Sequence, residues 1–183
     1  GVVGVCAFMG GGKALSSAIV QRPGRAWRMG ARDIAELARV HEVVMQQLLR
    51  YTQVLFTHMA QSSACNRHHA LGQQLCRWLL QHTDRQTGNE LRITHERIAG
   101  MLGVRREGIT GAALELQRTG LIRYGRGRMQ VIDRRGLEAH SCECYAVVQK
   151  AYERLRCDSP SWPRSAVLRT TAAARTNTTA RPC

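Results

Sequence analysis

Apolar residues recur through the middle of this chain at helical spacing. From residue 31 to 69 there is neither proline nor glycine, and steps alternating between four and three run through Leu37, His41, Val44, Leu48, Tyr51, Leu55, His58 and Ser62. This pattern predicts one long helix. Its seam, centred on Leu37, Val44, Leu48, Tyr51 and Leu55, is expected to pair with the same helix of a second copy. Val40, Val43, Leu49, Val54 and Met59 widen the stripe enough to pack on the chain's own N-terminal part as well. Before the helix, short β-like runs at 2–8, 18–21 and 25–29 alternate with Gly10-Gly11-Gly12 and Pro23-Gly24. They read as the last strands of a β-domain that is itself incomplete here.

After the long helix the pattern shortens. Leu75, Cys76 and Leu79 share one side of a second helix, and Thr87-Gly88-Asn89 makes a turn. Thr94 is placed to cap a helix bearing Ile98, Ala99 and Leu102, with Glu96 in its first turn and Gly103 at its end. A further helix from Arg105 turns Ile109, Ala112, Ala113 and Leu116 inward and stops at Thr119-Gly120. Two short helices joined at a glycine turn are a helix-turn-helix. Residues 121–124 and 128–132 then alternate like strands about Gly125-Arg126-Gly127, which predicts a hairpin, the wing. Asp133 can cap one last helix carrying Leu137, Cys144, Val148, Ala151 and Leu155. The fold class is α+β. The expected divisions are 1–30, the C-terminal part of a β-domain; 31–69, the dimerisation helix; 70–156, the winged helix-turn-helix; and 157–183, a basic disordered tail rich in Thr, Ala and Arg.

Charge sharpens the functional reading. Lys and Arg number 27 against 13 Asp and Glu, a formal net charge of +14, which favours a polyanionic partner. Between residues 91 and 135 stand ten arginines, at 92, 97, 105, 106, 118, 123, 126, 128, 134 and 135, against four acids. The second helix of a helix-turn-helix presents its N-terminal residues to base edges in the major groove. Here these are Arg105, Arg106 and Glu107: arginine donates bidentately to guanine and glutamate accepts from cytosine. Thr94, Thr110, Arg123, Arg126 and Arg128 are candidates for phosphate contacts, which position the protein without specifying sequence.

Other chemistry finds less support. There is no P-loop, no G-x-S-x-G elbow and no H-E-x-x-H, so no enzymatic activity is expected. No apolar run reaches the length of a membrane span, and no signal-peptide layout opens the chain, which predicts a cytoplasmic protein without a membrane partner. Seven cysteines, an odd number without regular spacing, predict reduced thiols. Cys65, His68 and His69 fall near the end of the long helix, where a metal or redox signal is a minor alternative to packing and polar surface. His140, Cys142 and Cys144 cluster only along the sequence, because on one helix Cys142 faces away from the other two.

The stretch ITHERIAGMLGVRREGITGAALELQRTGLIRYGRGRMQVID, residues 93–133, resembles the C-terminal winged helix-turn-helix of the Crp/Fnr family of bacterial regulators. The resemblance covers about residues 1–155, most strongly 71–135. It implies a β-roll, a dimerisation helix and a reading head, in a homodimer that binds a pseudo-palindromic operator on double-stranded DNA and works with RNA polymerase. The family's recognition helix commonly reads R-E-T-V-x-R. Arg106, Glu107 and Ile109 match its first, second and fourth positions, while Gly108 and Gly111 replace the threonine and the second base-reading arginine. The segment by which some relatives hold cyclic nucleotides carries Gly-Glu followed by Arg-Ser. Gly4-Val5 and Ser16-Ser17 stand there instead, so neither cyclic AMP nor another cofactor is expected, and the effector is not named by the sequence. The rival to a promoter-specific regulator is a basic protein that coats nucleic acid without sequence preference.

Overall fold

The computed structural model describes residues 1–11, 14, 17–20 and 24–157. The expected tail lies outside them except for Cys157, which ends the last helix. In chain order the elements are α1 (Ala31–Val40), α2 (Glu42–His68), α3 (Leu71–Thr83), β1 (Glu90–Arg92), α4 (His95–Leu102), α5 (Arg106–Arg118), β2 (Ile122–Gly125), β3 (Arg128–Val131), α6 (Arg134–His140) and α7 (Cys144–Cys157). The α+β class holds.

The part from α3 to α6 is built as its sequence dictates. Thr94 caps α4 by accepting a hydrogen bond from the Arg97 amide at 3.3 Å, and Asp133 caps α6 by accepting one from the Gly136 amide at 2.9 Å. Gly103 ends α4 in the left-handed region at φ 69°, which a side chain would resist. Arg126 and Gly127, at φ 50° and 73°, form the two-residue loop of the wing; both angles positive is the turn that matches strand twist. The sheet is antiparallel in the order β1-β3-β2, with Leu91 opposite Met129 and Tyr124 opposite that same Met129. Beneath it Leu75, Leu79, Leu80, Ile98, Ile109, Ile122, Met129 and Leu137 are fully buried, each worth about 1.5–3 kcal/mol of transfer from water. This core fixes α4, α5 and the wing as one body.

Four features differ from the sequence reading. Residues 2–8 hold only a 3-10 turn (Val5–Ala7), and no strand forms among the described residues before α1. A lone extended run leaves its amides and carbonyls without a ladder partner, and no neighbouring strand offers one. The long helix is broken at His41, whose backbone is extended at φ −115°, ψ 99°. No proline or glycine causes the break. The His41 amide still reaches the Leu37 carbonyl, and its own carbonyl accepts from Val44 and Met45, so little hydrogen bonding is lost. In exchange α1 packs on α2 and on the 3-10 turn, burying Ala38. β1 is an element that the turn at 87–89 did not predict; it is held where the Val131 amide donates to the Asn89 carbonyl and the Asn89 side chain donates back to that of Val131.

The last difference has the largest consequence. The helix from Asp133 stops at Ser141, with ψ 162°, and α7 starts afresh at Cys144. After this break α7 runs along α2, the most extensive contact between helices in the chain. Tyr152 meets His58 edge to face, and Arg85 lies 5.2 Å over the Tyr152 ring. The six described cysteines are all free, and no described helix is long and apolar enough to cross a membrane.

Candidate nucleic-acid interface

Arg105 is the residue before α5, and Arg106 and Glu107 are its first two positions; all three are exposed. The helix is anchored from below by Ile109, Ala113 and Leu116, none more than 5% exposed, so its N-terminus projects from a rigid base. The Gly108 amide bonds to the Arg105 carbonyl at 3.1 Å, closing the first turn directly behind the three side chains. Arg123 and Arg126 are exposed on the wing, and neither they nor Arg105 and Arg106 form an ion pair among the described residues. Arg128 sits 3.7 Å from Glu90 across the sheet, an exposed pair of low worth.

Two of the expected phosphate contacts are engaged within the fold. Thr94 is exposed, but its hydroxyl oxygen already accepts the cap bond. Thr110 is half-buried: its hydroxyl donates to the Arg106 carbonyl at 3.1 Å and lies 3.0 Å from Nδ1 of His95. Thr110 therefore positions α5 from behind. Arg134, one of the ten arginines, is likewise taken up internally, by Asp84, Glu138 and the Tyr145 hydroxyl.

Three residues that the sequence did not single out, His95, Gln117 and Tyr124, act with Thr110 to join the two helices to the wing. His95, at the start of α4, is buried and stacks on Tyr124 of the wing with centroids 4.0 Å apart. The Tyr124 amide donates to the Gln117 side chain on α5 at 2.8 Å. Burial, and after it the Arg106 charge, lower the pKa of His95 and keep it neutral. His95, Thr110, Gln117 and Tyr124 thus set the wing at one distance from the reading helix. Thr110 and Gln117 share a face of α5 at a spacing of seven, but His95 and Tyr124 come from other elements, and no local period links them to that face.

The dimer-seam candidates are partly covered by the chain itself. Leu48 is buried, and Leu37, Val44, Tyr51 and Leu55 are half-buried without any partner molecule. The apolar residues left open on α2 are Leu49, Phe56 and Met59, 50–59% exposed, together with Val43. At the end of the same helix His68 is exposed, while Cys65 and His69 turn inward to meet Cys142 and Cys144.

Two short helices at a glycine turn, a three-stranded sheet with one face on the core and a basic hairpin define a winged helix-turn-helix domain. Residues 73–140 match the Crp-like helix-turn-helix domain, and the chain carries that domain. Among solved structures it is similar to a protein of Eubacterium rectale described as a transcriptional regulator of the Crp/Fnr family, at 27% identity over 60% of this chain and 51% of that one, with a TM-score of 0.50. It shares its fold with FixK2 of Bradyrhizobium japonicum, at 15% identity over 61% and 59% of the two chains and a TM-score of 0.53. No curated protein matches it. The chain spans about half the length of the first of these solved structures.

Proposed function

We propose that this chain is a sequence-specific transcription regulator of the Crp/Fnr type, acting in the cytoplasm as a homodimer on a pseudo-palindromic operator. The observation that carries this is the exposed triad Arg105, Arg106 and Glu107 at the N-terminus of a helix whose opposite face is fully buried. Charged donors and an acceptor held on a rigid helix end match the major-groove edges of G·C pairs. Arg123 and Arg126 flank them on the wing and suit phosphates. The similar protein of Eubacterium rectale is described as a transcriptional regulator, and a regulator bound beside a promoter would work with RNA polymerase.

Dimerisation is best supported on the open side of α2. Leu49, Phe56 and Met59 follow one another at steps of seven and three, which keeps them on one face. The pairing surface is thus rotated away from Leu37, Val44, Leu48, Tyr51 and Leu55, whose face serves the chain's own packing. Two copies joined there would present two reading helices to successive major grooves, about 34–36 Å apart.

Substitution at two arginines tests the division of labour. Arg106→Ala is expected to cost about 1–3 kcal/mol on the preferred duplex and to relax preference at one base position in each half-site. Arg126→Ala is expected to weaken every duplex alike and to lower the slope of log affinity against log salt by about one. A uniform loss from Arg106→Ala across all duplexes would assign it to the backbone and remove the basis for specificity.

A further inference from the structure

The break between α6 and α7 brings together four groups from distant parts of the sequence. Cys65 comes from the last turn of α2 and His69 from just beyond it; Cys142 and Cys144 come from the link into α7. Their ligand atoms all lie within 4.8 Å of one another, and the three thiols are buried. Sγ of Cys65 is 3.5 Å from Sγ of Cys142, and Sγ of Cys144 is 3.4 Å from Nδ1 of His69. With zinc–sulfur bonds of about 2.3 Å, the edge of a coordination tetrahedron is about 3.8 Å. These spacings are those of ligands gathered around one centre. A disulfide requires about 2.05 Å between sulfurs, and an iron–sulfur cluster interposes several irons and inorganic sulfide between its thiolates.

We propose that Cys65, His69, Cys142 and Cys144 bind one divalent transition-metal ion, with the three-thiolate, one-imidazole set that zinc prefers, in a closed tetrahedral site. The surroundings are those of a metal site. Nε2 of His69 lies 3.2 Å from the Glu143 carboxylate, which holds the proton on that nitrogen and leaves Nδ1 free to ligate. The Gln61 side chain donates to Sγ of Cys144 at 3.1 Å, and the Gln74 side chain donates to the His69 carbonyl at 2.9 Å. Three thiolates around a divalent ion leave one net negative charge.

Arg77 supplies an opposite charge. It is 3% exposed, its Nη1 donates to the Ser62 hydroxyl at 3.0 Å, and its Nε finds no partner among the described residues. Among the described residues it forms no ion pair, yet it acts electrostatically on Cys65. A buried guanidinium without a counter-charge is costly, and an anionic metal centre beside it removes that cost. The ion would tie the junction of α2 and α3 to the start of α7, and so fix the reading head against the long helix. Only this last consequence rests on the DNA-binding reading; metal binding itself does not.

The test uses the full 183-residue chain, reduced and then incubated with zinc, with metal content read by native mass spectrometry and ligand type by the visible absorption of the cobalt-substituted protein. One zinc per chain and a tetrahedral thiolate spectrum are expected, with Cys142→Ser losing both. Cys157→Ser, at an exposed position outside the cluster, should retain both. Glu143 is exposed, so Glu143→Gln is not expected to disturb folding; it should weaken zinc binding about 10–100-fold. The proposal is overturned if the reduced chain takes up no metal, if Cys142→Ser keeps its zinc, or if Glu143→Gln binds as tightly as the parent. Iron with acid-labile sulfide would equally overturn it in favour of a cluster.

Discussion

Gly108 and Gly111 both lie inside α5, for different physical reasons. A Cβ at Gly108 would come within 2.8 Å of Cδ2 of Leu71, so this glycine lets α3 and α5 approach. A Cβ at Gly111 would meet nothing within 4 Å, and the position is exposed. Gly111→Ala is therefore expected to stabilise the domain by about 0.5–1 kcal/mol, by lowering the entropy of the unfolded chain. Gly108→Ala should gain less or lose stability, because Leu71 must move; urea unfolding of the two variants checks the order. The opposite order would mean that α5 is not packed on α3 as described. The exposure of Arg105, Arg106 and Glu107 was legible in the sequence because they open one helix and project outward from its start. Thr110 and Arg134 were not, since what occupies a polar side chain depends on neighbours such as His95 and Asp84, 15 and 50 residues away.

Among the elements, those with their own local punctuation were readable in advance. Thr94, Gly103, Arg126-Gly127 and Asp133 each dictate a cap or a turn by local chemistry alone. The breaks at His41 and Ser141 carry no such signal. Each is made by packing, of α1 on α2 and of α7 on α2, which local preference does not contain. Reading residues 133–155 as one helix set Cys142 apart from Cys144, and the break at Ser141 is what unites them. Between α4, α5 and the wing, His95 predicts a pH dependence. Its pKa is lowered in the folded state by burial, so the unfolded chain binds the proton more readily. Stability should be full above pH 6.5 and fall as pH drops from 6.5 towards the lowered value. His58 is shifted in the same direction, first by burial and then by Arg85 and Arg77, and adds to the same loss. His95→Gln should flatten the stability–pH curve in that window, leaving the His58 share; thermal unfolding from pH 5 to 8 reads it, and an unchanged curve would mean that His95 is not buried neutral.

At the scale of the molecule, the reading head is a complete body with its own core, and α2 is shared between that head, through α7, and the open stripe of Leu49, Phe56 and Met59. The long apolar stripe was visible in the sequence, but the face of it that stays open was not. Tyr51 and Leu55 are claimed by intrachain packing, and a heptad pattern does not say which side the chain keeps for itself. The measurement that tests the account most directly is selection of bound sequences from a random duplex pool at near-physiological salt, with a footprint on the winner. The account predicts a two-fold symmetric motif whose half-sites lie one helical turn apart, reduced to a single half-site by Phe56→Asp on the open stripe. Enrichment of no sequence at all, with binding that vanishes as salt rises, would contradict it and leave a basic protein that coats DNA without reading it.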